Sequence, residues 1–294
     1  MLYGLIGYVL AKLSLYLSGY SKECKERKKM REELQSVKCF LLDMDGTVYL
    51  SGKLLRGAAE TIQTMRARGR VVFLTNNTSR SKDDYVERLN NLGLSVTRAD
   101  VFTAADAALH YIKRHYENKK VYLFGTKSLH QEFLAAGVAL DDEAPELVAV
   151  GFHTDMVYAD LVKLCNFIRD GVPYILTHPD KNCPHDVGLL PDVGSLLELI
   201  RASTNREPEA VFGKPCALMG EMITAALGYE KKEVLMMGDR LETDMQFAFN
   251  CGFASALVLS GATDRALLQK SGMKPDLVLP SIKYLFEEGE AYEV

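Results

Sequence analysis

Residues 40–47 have the sequence FLLDMDGT, in which a short apolar run ends in two carboxylates and a glycine. The run predicts a strand buried on both faces of a parallel sheet, because such strands are continuously hydrophobic. Asp43 and Asp45 stand at positions i and i+2, so both leave the strand end on the same side. They repel each other, and burial raises the cost of ionising both. A divalent cation relieves that cost, and hard oxygen ligands favour Mg²⁺.

Similar apolar runs recur along the chain and alternate with helix-like segments. The predicted strands are residues 37–42, 71–75, 121–125, 147–151, 173–177, 210–212, 234–238 and 255–259. The predicted helices include residues 58–68, 82–92 and 158–169. Each of these helices is followed within two residues by a glycine, which commonly ends a helix. Repeated strand–helix–strand units predict a doubly wound α/β fold, in which ligands bind beyond the carboxyl ends of the strands.

The composition is typical of a soluble, well-packed protein. Of the 294 residues, 48% are hydrophobic and 25% are charged, and the net charge is −4. This balance gives no reason to expect nucleic acid as a partner. The six cysteines include no CxxC pair, which indicates buried thiols in a reducing compartment and therefore a cytoplasmic protein.

The strand at 71–75 is followed by a loop rich in hydroxyl and amide groups. Thr75, Asn76 and Asn77 provide a hydroxyl and then two amides, which are the groups that a phosphate-binding loop needs. The same composition is typical of an ordinary turn. Taken alone, the loop is explained slightly better as a turn.

Two further strand ends bring charges to the same edge of the predicted sheet. Lys214 follows the strand at 210–212, where it can hold a carboxylate and a substrate phosphate together. Asp239 follows the strand at 234–238 and is expected to point at the cation. Asp244, five residues later at a predicted helix start, is explained equally well as a metal ligand or a helix cap.

In this order, the DxDGT, TNN, GKP and GDxxxxD patterns resemble the haloacid dehalogenase superfamily of phosphohydrolases. The long segment between Thr75 and Lys214 is similar to subfamily IIA, the group of NagD and the p-nitrophenylphosphatases, in which a large α/β cap domain is inserted there. The resemblance implies an extension at 1–36, a Rossmann-like core at 37–103 and 208–294, and a cap at 104–207.

The resemblance also implies a phosphatase mechanism. Asp43 attacks phosphorus and becomes an aspartyl-phosphate, and Asp45 protonates the leaving alcohol and then activates water. Thr75 and Asn76 hold the phosphoryl oxygens, and Lys214 neutralises their charge. The implied Mg²⁺ ligands are Asp43, Asp45 through its backbone carbonyl, Asp239 and Asp244, the last in or behind the shell.

Within the predicted cap, residues 176–184 resemble the Thr-Asn-Pro-Asp segment that faces the active site in this group. His178 stands where the group has Asn, so it either contacts substrate or bonds to a neighbouring loop, and Asp180 is a further predicted substrate-binding residue. Residues 190–196 predict a cap helix whose N-terminus faces the site. A large cap leaves limited room, which favours small phosphomonoesters as substrates. Caps in this group often contribute to homodimers.

Two other functions stay open from the sequence. A phosphotransferase or phosphomutase uses the same aspartyl intermediate. A non-catalytic, membrane-associated binding protein is suggested by residues 1–20, which are apolar except for Lys12 and a few polar groups, and by the basic residues behind them. Peripheral membrane contact through residues 1–31, a helix docked on the protein surface and an extension ahead of a start at Met30 each explain this segment.

Overall fold

The computed structural model of the chain describes residues 35–185 and 188–286. The strands are β1 Cys39–Leu42, β2 Tyr49–Leu50, β3 Lys53–Leu54, β4 Arg70–Thr75, β5 Val101–Thr103, β6 Lys120–Phe124, β7 Ala139–Leu140, β8 Leu147–Val150, β9 Tyr174–Leu176, β10 Asn182–His185, β11 Gly188–Pro191, β12 Ala210–Val211, β13 Val234–Gly238, β14 Ala254–Val258 and β15 Leu277–Leu279. The helices are α1 Ala58–Arg68, α2 Lys82–Asn91, α3 Ala104–His115, α4 Lys127–Ala135, α5 Tyr158–Arg169, α6 Val193–Thr204, α7 Ala217–Leu227, α8 Gln246–Cys251 and α9 Arg265–Ser271. A π-helical turn, Leu241–Met245, leads into α8.

A parallel sheet built from the first and last parts of the chain positions the site. Its order is β15-β14-β13-β1-β4-β5, and every neighbouring pair is parallel. Every residue of β1 and β13 is buried, which explains their continuous apolar sequences. The chain moves outward from β1 in both directions, so β1 lies at the switch point where such sheets bind ligands. The predicted doubly wound α/β fold is confirmed.

A second parallel sheet is inserted between β5 and β13. Its order is β12-β9-β8-β6-β7, and an antiparallel hairpin of β10 and β11 follows β9. One buried cluster joins the two sheets, since it contains Leu41 and Val72 of the first and Val121 and Leu147 of the second. The division into core and cap domains stays a prediction. The strand β12 begins at Ala210, on the core side of the predicted boundary, but it pairs with β9 of the second sheet.

The local sequence accounts for most of these elements. All eight predicted strands are present, with ends within two residues of those expected. The helices predicted at 58–68 and 158–169 have those bounds, and α2 ends one residue early. Ser81 explains the start of α2, because its hydroxyl accepts from the Asp84 N–H while the Asp84 carboxylate accepts from the Ser81 N–H.

The predictions made for residues 1–31 lie outside the described residues. Within residues 35–185 and 188–286, no helix combines the length and the apolar character needed to cross a bilayer.

Candidate active site

The site lies where β1, β4 and β13 end side by side. Asp43 follows β1 directly, and its N–H donates to the Met237 carbonyl at 2.9 Å. Asp239 follows the last residue of β13. The parallel register that pairs Leu42 with Met237 therefore brings two acidic residues from distant parts of the chain together.

Three carboxylates and one ammonium group meet at this edge. Asp43, Asp239 and Asp244 each place an oxygen within 4.8 Å of the others. The Lys214 Nζ donates to Asp43 Oδ1 at 2.5 Å and to Asp244 Oδ1 at 2.7 Å. Lys214 and Asp244 are buried, so little solvent screens these charges. The strand-end charges predicted from the sequence thus converge, and one lysine joins two of the three acids.

These groups shift one another's pKa values. Burial raises the pKa of Asp43 well above its usual range; Lys214 opposes the rise, and Asp244 and Asp239 add to it. Burial, helped by Asp244, raises the pKa of Asp239 to about 6. Burial alone would lower the pKa of Lys214, but Asp244 and Asp43 outweigh it and raise that pKa. One lysine therefore does not suffice to keep all three carboxylates ionised, and a further positive charge would favour their ionised forms.

The surroundings of Asp239 fit a bound cation. Its Oδ2 accepts the Ala262 N–H at 2.6 Å, whereas its buried Oδ1 has no hydrogen-bond partner among the described residues. A buried carboxylate oxygen without a partner is costly unless a ligand meets it. A Cβ on Gly46 or Gly261 would lie 2.4 Å or 2.0 Å from Asp239 Oδ2, so the backbone approaches this carboxylate too closely for any other residue. The carboxylate oxygens gathered here are hard donors, which Mg²⁺ prefers.

The loop after β4 braces Lys214. Asn76 exchanges two hydrogen bonds with the Lys214 backbone: its Oδ1 accepts the N–H at 2.7 Å, and its Nδ2 donates to the carbonyl at 2.8 Å. Thr75 Oγ1 accepts the Asn77 N–H at 3.2 Å. Asn77 Oδ1 in turn accepts from the Ser79 N–H and hydroxyl. The amide side chains of this loop hold the loop itself and Lys214 in place.

Asn76 also connects the site to the inserted segment. Its Nδ2 lies 3.2 Å from Asp180 Oδ2. Gly213 passes close by with a φ of 72°, and a Cβ there would lie 2.6 Å from His178 Cβ and 2.8 Å from Asn76 Oδ1. Gly213 cannot be replaced without strain, because its φ is positive and because a side chain would collide with His178 and Asn76.

His178 is fully buried, and both of its ring nitrogens have partners. Nδ1 lies 2.9 Å from Thr177 Oγ1, and Nε2 lies 2.9 Å from Asp192 Oδ1, which also accepts the Val193 N–H at the start of α6. Burial lowers the pKa of His178, but Asp192 outweighs it and raises the pKa overall. Of the two interpretations left open by the sequence, this geometry favours bonding to a neighbouring loop, which holds the segment that carries Asp180.

Asp45 lies apart from the three-carboxylate cluster. The Tyr49 hydroxyl donates to its Oδ2 at 3.1 Å, and Arg88 Nη2 lies 3.9 Å from its Oδ1. Although 68% of the Asp45 side chain is exposed, the protein beside it raises its pKa by desolvation, and Arg88 and Tyr49 oppose that rise. The Asp45 carboxylate therefore lies largely in solvent, beside Tyr49 and Arg88.

Sequence reasoning missed four residues near the predicted site residues. Tyr49 and Arg88 contact Asp45, as described above. Cys183, in β10, accepts from Asn77 Nδ2 at 3.6 Å. Arg240 lies near enough to Asp180 and the acid cluster for them to raise its pKa. Arg88 had no local signal, whereas the other three lie within four residues of a predicted site residue: Arg240 after Asp239, Tyr49 after Asp45 and Cys183 after Asp180.

Comparison with known proteins supports the resemblance. A family model described as haloacid dehalogenase-like hydrolase matches residues 40–139, and one described as HAD-hydrolase-like matches residues 211–285. The 5'-nucleotidase YutF of Bacillus subtilis is 30% identical over 250 residues, covering 85% of this chain and 97% of that protein. The crystal structure of 4-nitrophenylphosphatase from Thermotoga maritima is 38% identical with a TM-score of 0.84, covering 86% of this chain and 97% of that one. The crystal structure of glycerol phosphate phosphatase from Mycobacterium tuberculosis, in complex with magnesium, is 31% identical with a TM-score of 0.73. The match covers 79% of this chain and 71% of that one.

Proposed function

The chain belongs to the haloacid dehalogenase-like hydrolases and is a phosphoric monoester hydrolase, and we propose that it uses Mg²⁺ and an aspartyl-phosphate on Asp43 to hydrolyse small phosphomonoesters. The observation that carries this proposal is the meeting of Asp43, Asp239 and Asp244 around Lys214 at the carboxyl edge of the sheet. Phosphoryl transfer depends mainly on positioning and on charge stabilisation, which such a cluster provides.

In the first step, an Asp43 carboxylate oxygen attacks phosphorus and the bond to the ester oxygen breaks. Asp45 gives its proton to the departing oxygen. Lys214, already 2.5 Å from Asp43, offsets the repulsion between the nucleophile and the phosphate. Thr75 binds a phosphoryl oxygen through its hydroxyl, and Asn76 does so through its backbone N–H, because its side chain is bonded to Lys214.

In the second step, water attacks the phosphorus of the aspartyl-phosphate. Asp45, now deprotonated, takes a proton from that water. The bond between phosphorus and the Asp43 oxygen breaks, which releases inorganic phosphate and restores the carboxylate. The two steps return Asp45 to its starting protonation state, so no other reactant is needed.

Mg²⁺ would be held by Asp43, Asp239 and the backbone carbonyl of Asp45. When bound, the ion supplies positive charge that stabilises the transferring phosphoryl group. Both Asp244 oxygens already accept hydrogen bonds, from Lys214 Nζ and from the Arg240 N–H. Asp244 therefore supports the shell from behind, where it fixes Lys214.

The contacts between the inserted segment and the loop after β4 favour a small leaving group. The loop after β4 is contacted by two residues of the inserted segment, since Asn76 bonds to Asp180 and Asn77 to Cys183. A bulky substrate would have to displace both contacts. The names of the relatives, which refer to a nucleotide, a nitrophenyl ester and glycerol phosphate, support the same size class.

A phosphate-release assay tests the proposal. The purified protein is incubated with a panel of phosphorylated metabolites, with Mg²⁺ and with EDTA, and release is expected only with Mg²⁺. Asp43→Asn should lower turnover by about a thousandfold or more, because the amide is not a nucleophile. Asp142→Asn is the matched control, since Asp142 is an exposed carboxylate paired with Lys163 at 3.5 Å, and it should keep full activity. An Asp43→Asn protein that retains a tenth of the turnover would contradict the proposal.

A further inference from the structure

Two side chains lie beside the carboxylate of Asp45. The Tyr49 hydroxyl donates to Asp45 Oδ2 at 3.1 Å, and Arg88 Nη2 lies 3.9 Å from Asp45 Oδ1. The Arg88 guanidinium also lies over the Tyr49 ring, 4.4 Å from its centroid. The three side chains therefore form one cluster, the Asp45 clasp, made of Asp45, Tyr49 and Arg88.

The clasp is anchored to the turn that carries Asp45. Tyr49 is fully buried, and its N–H donates to the Met44 carbonyl at 3.2 Å. Its own carbonyl accepts the Gly46 N–H at 2.7 Å. The phenol is thus fixed relative to Asp45 by the backbone on both sides of that residue, whereas Arg88 reaches the carboxylate from α2.

Asp45 needs such restraint more than Asp43 does. Asp43 is bonded to the buried Lys214, but the Asp45 side chain is 68% exposed. An exposed aspartate populates several rotamers, while a general acid must stay within hydrogen-bond reach of the leaving oxygen. A misplacement of about 1 Å can cost about a hundredfold in rate.

We infer that Tyr49 and Arg88 are positioning residues that hold the Asp45 carboxylate where it exchanges protons with the leaving group and the attacking water. The inference rests on the proposed function, because it takes Asp45 to be the acid–base residue. Neither side chain touches the reacting atoms; both act through Asp45.

A comparison of two leaving groups tests this role. Tyr49→Phe keeps the buried ring and removes only the hydroxyl. It should lower kcat/KM for the best alkyl phosphate of the panel by about 10- to 100-fold, because an alkoxide needs the proton from Asp45. It should lower kcat/KM for p-nitrophenyl phosphate by less than about threefold, because nitrophenolate departs without a proton. Arg88→Met should act in the same direction, and Arg88→Lys should recover part of its loss.

Two matched controls separate positioning from general packing. Tyr174→Phe also removes a hydroxyl from a buried ring, one that donates to the Arg206 carbonyl at 2.9 Å. Arg68→Met also removes a guanidinium from an aromatic ring, that of Phe286 at 4.0 Å. Both should leave kcat/KM unchanged for both substrates.

A double substitution decides whether Tyr49 acts through Asp45. With p-nitrophenyl phosphate, Tyr49→Phe should lower kcat when Asp45 is present, because Asp45 also takes the proton from the water that attacks the aspartyl-phosphate. In an Asp45→Asn background, Tyr49→Phe should produce no further loss of this kcat. A persisting loss, an equal loss for both leaving groups or a gain in rate would each overturn the inference. These outcomes differ from failure of the proposed function, which would appear as an active Asp43→Asn protein.

Discussion

Two clusters of residues that could bind a metal lie in the described part of the chain. They differ in whether their polar atoms have hydrogen-bond partners within the protein. The first contains Asp43, Asp239 and Asp244, and the second contains His178, Asp180 and Asp192; they are called the core cluster and the cap cluster after the predicted domains. Each places three ligand atoms within 4.8 Å of one another. In the core cluster, one lysine faces three carboxylates and a buried oxygen has no partner among the described residues.

The ligand residues of the cap cluster have hydrogen-bond partners within the protein. Both His178 nitrogens have partners, Asp192 also accepts the Val193 N–H, and Asp180 accepts from Asn76. Proximity of ligand atoms is therefore a weak sign of a metal site. Surplus charge and an unpaired acceptor, which the core cluster has, are stronger signs.

The largest expected difference between the clusters is in catalysis. Asp239→Asn should lower turnover by about a thousandfold and abolish Mg²⁺ binding, since it removes a carboxylate whose charge the ion needs. Asp192→Asn is the matched change in the cap cluster and should leave the Mg²⁺ concentration for half-maximal activity unchanged. Calorimetric titration with Mg²⁺ and turnover measured over a range of Mg²⁺ concentrations check both. A similar loss of Mg²⁺ binding in the two variants would contradict the conclusion that only the core cluster binds the ion.

A smaller effect is expected on stability when the charge balance of the core cluster is broken. Lys214→Met leaves buried carboxylates without their cation and should lower the free energy of unfolding in EDTA by about 3 kcal/mol. Added Mg²⁺ should restore part of this loss, because the ion replaces the missing positive charge. Urea denaturation with and without Mg²⁺ measures it.

A surface ion pair with the same distance between its charged atoms provides the control for Lys214→Met. Lys120 Nζ lies 2.7 Å from Asp141, as Lys214 Nζ lies 2.7 Å from Asp244, but half of the Lys120 side chain is exposed. Lys120→Met should leave the denaturation midpoint almost unchanged, because water screens this pair. Equal destabilisation by the two substitutions would show that burial does not set the strength of the core pair.

The smallest effect concerns the pH dependence of the cap cluster. The pKa of His178 is raised in the folded protein, so its pairing with Asp192 stabilises the fold fully below the unfolded pKa of about 6.5 and loses this contribution as pH rises through the folded pKa. Asp192→Asn should therefore cost about 1–3 kcal/mol at pH 6 and less at pH 9. Urea denaturation at the two pH values checks this; a cost that grows with pH would contradict the raised pKa of His178.

The sequence predicted the backbone of the site better than its side-chain contacts. β1 and β13 were predicted because continuous apolar runs precede Asp43 and Asp239, and parallel pairing of such strands brings their ends together. The β10–β11 hairpin was not predicted, because its residues are largely exposed and form no continuous apolar run.

The contacts of Asn76 and Asp45 had no sequence signal. Asn76 was expected to face phosphate, yet its side chain bonds to Lys214 and Asp180, which are distant in the chain. Arg88 reaches Asp45 only after α2 has packed against the sheet, and this contact depends on tertiary packing that short sequence patterns do not encode. Tyr49 is only four residues from Asp45, but the turn that brings its hydroxyl to the carboxylate leaves no recognisable residue pattern.

Locating a bound ion would show whether Asp43 and Asp239 form the cation site. Crystals of the protein soaked in Mn²⁺, which takes the same oxygen ligands as Mg²⁺ and scatters anomalously, would show where a divalent cation binds. We expect one anomalous peak between Asp43 and Asp239, beside the Asp239 Oδ1, and none between His178 and Asp192. A peak in the cap cluster, or no peak beside Asp239 at saturating Mn²⁺, would contradict this expectation.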